Sequence, residues 1–121
     1  MGIQFFEKEQ TFKLDANNTT YMIGLVDEEK FLGHVYFGKK ISDRSASYLM
    51  RTEEPPFTPA TNNRDRLSFY DSFPTEYSGS GVGDFREPSI EITDAKGNKV
   101  CRFTYESHTI YKGKPKLKGL P

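Results

Sequence analysis

The sequence predicts an all-β domain, a sandwich or a barrel of short antiparallel strands. Three observations carry that reading. Apolar residues recur with a period of two along most of the chain. Turn-forming residues interrupt them at short intervals. No stretch joins a helical period to a capping residue, so nothing competes with strands.

Taken in order, Ile3 to Phe6 and Thr11 to Leu14 read as two short strands. Thr20 to Val26 is the next. Tyr21, Ile23 and Leu25 share one face there, with Met22 and Val26 on the other, so the strand is covered on both sides. Asp27-Glu-Glu-Lys30 is a polar connection of hairpin length, and Phe31 to Ile41 returns. In that return Val35 and Phe37 point one way, His34 and Tyr36 the other. Ser89 to Thr93 alternates again, placing Ile90 and Ile92 inward and Glu91 in water. Asp94 to Asn98 is a turn in which Gly97 can take a positive φ. Val100 to Ile110 closes a second predicted hairpin, with Cys101, Phe103 and Tyr105 on one face.

Two regions break the rhythm. Ser42 to Arg66 carries three prolines and many polar residues, a long connection of the kind that is functional or disordered. Residues 112–121 are basic and rich in Gly and Pro, and read as the start of a connection to further chain, leaving 1–111 as the β domain.

A length of 121 residues suits one domain. The chain balances 17 basic against 17 acidic side chains, which argues against nucleic acid or an anionic membrane as partner. Mean hydropathy is −0.70 while 14% of residues are aromatic, so the core is built from Phe and Tyr. Cys101 is the single cysteine, no basic-then-apolar leader opens the chain, and no apolar run is long enough for a membrane helix. These features predict a cytoplasmic protein, in which the Asn17 and Asn18 sequons are chance matches.

Candidate chemistry is sparse. Gly79, Gly81 and Gly83 could cradle a phosphate only ahead of a helix, and Pro88 in a strand pattern favours a tight loop. Asp84 and Arg86 lie two apart and share a face, either as an internal ion pair or as a contact to a neighbouring domain. His34 and His108 lack companions at ligand spacing, so no metal site and no cofactor are implied. Cys101 reads as a small core residue. Glu53 and Glu54 precede Pro55-Pro-Phe57; by themselves they read as solvated carboxylates rather than an acid/base pair. No catalytic residue is assigned within the chain.

Three motifs act together: Leu32-Gly-His-Val-Tyr-Phe-Gly-Lys39, Gly83-Asp-Phe-Arg-Glu-Pro88, and Ser107-His-Thr-Ile-Tyr-Lys-Gly-Lys-Pro115 with Gly119-Leu-Pro121. Leu67-Ser-Phe-Tyr-Asp71 and Pro74-Thr-Glu-Tyr77 fall between them in order. The set resembles the N-terminal domain of bacterial α-galactosidases of glycoside hydrolase family thirty-six, over essentially the whole chain. The resemblance implies an antiparallel β-sandwich, a supersandwich of which this chain is a truncated part. It implies a parent that is a retaining α-galactosidase, a tetramer acting on melibiose- and raffinose-type sugars, whose catalytic carboxylates lie on a separate barrel domain. It also implies that the long loop reaches the galactose pocket of a neighbouring subunit. Aligned on Phe57 and Pro59, the acidic binding position falls on Glu54, with Glu53 as the alternative. The competing readings are a free-standing carbohydrate-binding module, weakened by the absence of Trp, and an OB-like nucleic-acid binder, which would need a basic stripe.

Overall fold

The computed structural model describes residues 2–26, 30–44, 46–50, 73–81, 84–114 and 118–119. Its centre is a four-stranded antiparallel sheet in the order of the chain: β1 (Gly2–Phe6), β2 (Thr11–Ala16), β3 (Thr19–Val26) and β4 (Phe31–Lys39). Each strand is where alternation places it, and each connection is local. A two-residue turn at Asn17-Asn18 joins β2 to β3, with Asn17 at φ 53°, a left-handed conformation that asparagine tolerates better than most residues.

Both faces of this sheet are apolar. On the core face, Met22, Val26, Phe31 and Val35 are buried. Residues 40–44 and 46–50 fold back over them, and Ala46 and Met50 pack against this layer at the two ends of a short 3-10 turn, Ser47–Leu49. Met50 fits because β3 carries glycine beneath it: a Cβ on Gly24 would lie 2.0 Å from the Met50 methyl carbon. Phe73 returns to the same core and stacks edge-on to Phe31 at 5.0 Å. From there Pro74 to Glu76 run along the open edge of β4. His34 N–H donates to the Pro74 carbonyl at 2.7 Å, and Glu76 N–H to that of Leu32 at 3.0 Å.

One face assignment differs from the simple alternation. Met22 pairs with Tyr36 and Ile23 with His34, leaving Val35 without a ladder partner. This bulge puts Val35 and Tyr36 on the core side together and turns Phe37 to the opposite face, where it is 69% exposed. Val35 and Phe37 therefore do not share a face.

The second predicted hairpin is the larger correction. Its turn forms: Asp94 N–H donates to the Asn98 carbonyl at 2.9 Å, Gly97 N–H to that of Asp94 at 3.0 Å, and Gly97 takes φ 85°. The arms on either side are not strands, however, and Ile90 and Ile92 are 38% and 50% exposed rather than inward. Two arms alone bury too little to hold a ladder. They bond sideways instead: Ser89 N–H to Ser78, Cys101 N–H to Ser80 and Tyr105 N–H to Lys30, at 2.7 to 3.0 Å. Cys101 is half-buried there rather than a core residue. Tyr105 and His108 lean on Phe5 and Phe12, partly covering the second face of the sheet.

Candidate functional site

The segment that leaves β4 is held by a charged clasp. Lys13, on β2, is 1% exposed on the core face. Its ammonium donates to Asp15 Oδ2 at 2.6 Å and to Asp43 Oδ1 at 2.8 Å. Thr20 donates its hydroxyl to Asp15 Oδ1 at 2.6 Å and accepts the Ile41 N–H at 3.2 Å. Burial pulls the Lys13 ammonium down, and the hydrogen bonds to Asp15 and Asp43 outweigh it, so its pKa ends raised. The reciprocal effect lowers both carboxylates: Lys13 and then Thr20 act on Asp15, and Lys13 and then Gln4 on Asp43.

A second cluster braces the returning chain. Tyr21, on β3, donates its phenol to Glu76 Oε2, while Glu76 Oε1 lies 3.3 Å from His34 Nδ1. Burial, followed by the nearby Glu76 carboxylate, pushes the Tyr21 phenol well above its ordinary value. Thus Met50 and Phe73, the described residues on either side of 51–72, pack into one cluster with Val26 and Phe31. Glu53 and Glu54 belong to that segment and lie outside the described residues.

Asp84 and Arg86 are brought together. The Asp84 side chain is 1% exposed. Arg86 forks onto it, Nε to Oδ1 at 2.9 Å and Nη2 to Oδ2 at 2.8 Å, and the Arg86 N–H adds a third bond at 3.0 Å. This bidentate geometry is the strong form of a carboxylate–guanidinium pair. The glycines before it permit a close approach. A Cβ on Gly79 would sit 1.9 Å from the Cys101 carbonyl oxygen, and one on Gly81, at φ 81°, would sit 2.8 Å from Val100 Cγ2.

His108 accepts or donates a bond of 2.7 Å with the Tyr105 hydroxyl and sits among Phe5 and Phe12. On the same face, a groove of about 1010 Å³ runs past Ile3, Leu14, Tyr21, Phe37 and Tyr111. Sequence reasoning missed Lys13, Tyr21 and Glu76 as organising residues. Glu76 stood inside the quoted Pro74-Thr-Glu-Tyr77 motif. Lys13 has a local partner in Asp15, two residues on along the same strand face, but its second partner, Asp43, is 30 residues away.

Comparison with known proteins is consistent across the chain. The pattern of the glycosyl hydrolase family 36 N-terminal domain matches residues 30–121. Alpha-galactosidase AgaA of Geobacillus stearothermophilus is 32% identical over 121 residues, covering 100% of this chain and 16% of its own length. The crystal structure of the GH36 alpha-galactosidase AgaB from the same organism aligns with 100% of this chain and 16% of its own, at 34% identity and a TM-score of 0.82. A variant of AgaA in complex with raffinose aligns with 92% of this chain and 15% of its own, at 34% identity and a TM-score of 0.76.

Proposed function

Since the chain belongs to glycosyl hydrolase family 36, as its N-terminal domain, we propose that it is a non-catalytic domain of a retaining α-galactosidase that releases terminal galactose from melibiose- and raffinose-type sugars. The observation that carries the proposal is the match of the whole chain to such enzymes in sequence and in fold, with residues 30–121 matching the family's N-terminal domain. In this reading the reaction belongs to a catalytic barrel elsewhere in the parent, where one carboxylate attacks the anomeric carbon and another moves the proton. This domain supports assembly into a homotetramer and lends its long loop, within Ser42 to Arg66, to a neighbour's galactose pocket. Glu54, or Glu53 beside it, accepts hydrogen bonds from sugar hydroxyls there and sets affinity without taking part in bond breaking. Met50 and Phe73, the described residues on either side of 51–72, pack into one cluster, which supports the reading. The lone Cys101 supports a reducing, cytoplasmic setting.

The test is hydrolysis of p-nitrophenyl α-galactoside by the full-length parent and by the 121-residue chain alone. Activity confined to the parent is the expected result. A parent inactive on α-galactosides, or an active isolated chain, overturns the reading. The alternative, a free-standing carbohydrate-binding module, draws on the exposed Phe37 and Tyr111 in the groove of the second face. Calorimetric titration of the isolated chain with raffinose separates the two, since only the module binds without the parent.

A further inference from the structure

We infer that residues 40–44 and 46–50 form a strap that lifts off the core face as one unit while the four-stranded sheet stays paired, and that the Lys13 clasp is the acid-sensitive latch that holds it down.

Lys13 is an odd residue for its place. It faces the core, is 1% exposed, and pairs across the ladder with Met22, which is fully buried. A buried ammonium needs full pairing, and an apolar side chain of its shape generally serves stability as well or better. What the cation adds is a condition. Among the described residues, two carboxylates balance its charge: Asp15 on its own strand at 2.6 Å and Asp43 on the strap at 2.8 Å. Thr20, on β3, bonds Asp15, and Gln4, on β1, bonds Asp43. Lys40, on the strap, brings a second cation to 3.9 Å from Asp15. With both carboxylates ionised, the ammonium is satisfied beneath the strap. With either one protonated, a buried charge is left underpaired. Asp43 is 61% exposed, so it takes up a proton from water before anything opens.

Lifting the strap is the least costly way to hydrate that charge, because its attachments lie apart from the ladder. At one end the Lys40 N–H donates to the Asn18 carbonyl at 2.7 Å, the Ile41 N–H to the Thr20 hydroxyl at 3.2 Å, and Asp43 meets Lys13. At the other end Ala46 and Met50 pack with Met22 and Val35. Between them the described backbone bonds are internal, from Arg44 to Ser42, Leu49 to Ala46 and Met50 to Ser47. A segment held by local bonds and a small apolar seat is the kind that opens below the global transition. Opening exposes Met22 and Val35, which opposes it, and the clasp decides the balance. Both carboxylates are held below their ordinary value, chiefly by Lys13. The latch is therefore closed above about pH 4 and releases as pH falls through the lowered values.

The experiment is hydrogen–deuterium exchange of the full-length parent, read by mass spectrometry in peptides covering the strap and β3, with rates corrected for intrinsic exchange. Asp43→Asn, which keeps the shape and removes the charge, should speed exchange of the strap about 10-fold at neutral pH and leave β3 within about 2-fold. In the wild type the same separation should appear on going from neutral pH to about pH 3. In Lys13→Met, which removes the charge that needs hydration, acid should no longer open the strap ahead of β3. Strap exchange in Asp43→Asn equal to that of the wild type overturns the inference. So does loss of protection in strap and sheet together on acidification, which is global unfolding. An acid response of the strap that persists in Lys13→Met overturns it as well. If Lys13→Met does not fold, Asp43→Asn and the wild-type acid series decide.

Discussion

The β3–β4 hairpin and the arms around the Asp94–Asn98 turn have similar raw material: apolar residues at every second position, joined by a short polar turn. They end differently. In β3–β4, Met22, Val26, Phe31 and Val35 are buried under a lid of Ala46, Met50 and Phe73, and the ladder runs the length of both strands. Around Asp94–Asn98 the turn closes and Lys99 pairs with Glu91 across the arms at 2.8 Å, but no ladder forms, and Ile90, Ile92 and Val100 stay partly to largely exposed. The difference is the covering layer. Backbone pairing contributes little net free energy beside the apolar area removed from water, so a hairpin with no lid stays open.

The contrast is sharpest in the effect of truncation. Met22→Ala should cost about 2–5 kcal/mol by urea denaturation, because it empties a fully buried site between Ala46 and the sheet. A cost below about 1 kcal/mol would mean that the lid is not packed as described. Asp84→Ala should cost about 1.5–3 kcal/mol by the same measurement, since it removes a carboxylate that is 1% exposed and with it both arms of the forked pair to Arg86. That value would show that the segment before the open arms is fixed even though the arms are not.

Acid offers a third approach. The Asp15 and Asp43 carboxylates have lowered pKa values, chiefly through Lys13. A carboxylate lowered in the folded state adds stability above its unfolded value, about 4, and loses it as pH falls through the folded value. The thermal midpoint of the wild type should therefore drop below about pH 4, and the gap between wild type and Asp43→Ala should narrow over that same range. A gap independent of pH would show that the clasp is not ionic. The smallest effect belongs to the arms: Ile92→Thr should change stability by no more than about 0.5 kcal/mol. Amide exchange should match, slow across β3 and fast from 90 to 93.

Much of this was legible in the residues. β1 to β4 follow from alternation, and the Gly97 turn from its composition, because both signals are local. The bulge at Val35 was not legible, since a single unpaired residue leaves the pattern intact on each side and only shifts its phase. Nor was Lys13, whose burial depends on Asp43 and on a lid folded back from beyond β4. The arms misled for the converse reason: Ile90 and Ile92 declare a face suited to burial, and burial needs a partner layer that local sequence does not supply. Of the candidate site, the Asp84–Arg86 pair was readable from spacing as one of two options, and the structure brings the two side chains together. Tyr21 and Glu76 meet across 55 residues, and no period links them.

The central claim, that this domain serves galactose binding and not bond breaking, is tested most directly by the kinetics of Glu54→Ala in the full-length enzyme, with oligomeric state followed by light scattering. A KM raised about 10-fold or more, with kcat retained and the assembly intact, is the predicted result. Unchanged KM and kcat in both Glu54→Ala and Glu53→Ala, in an intact assembly, would contradict it, returning the pair to ordinary solvated carboxylates.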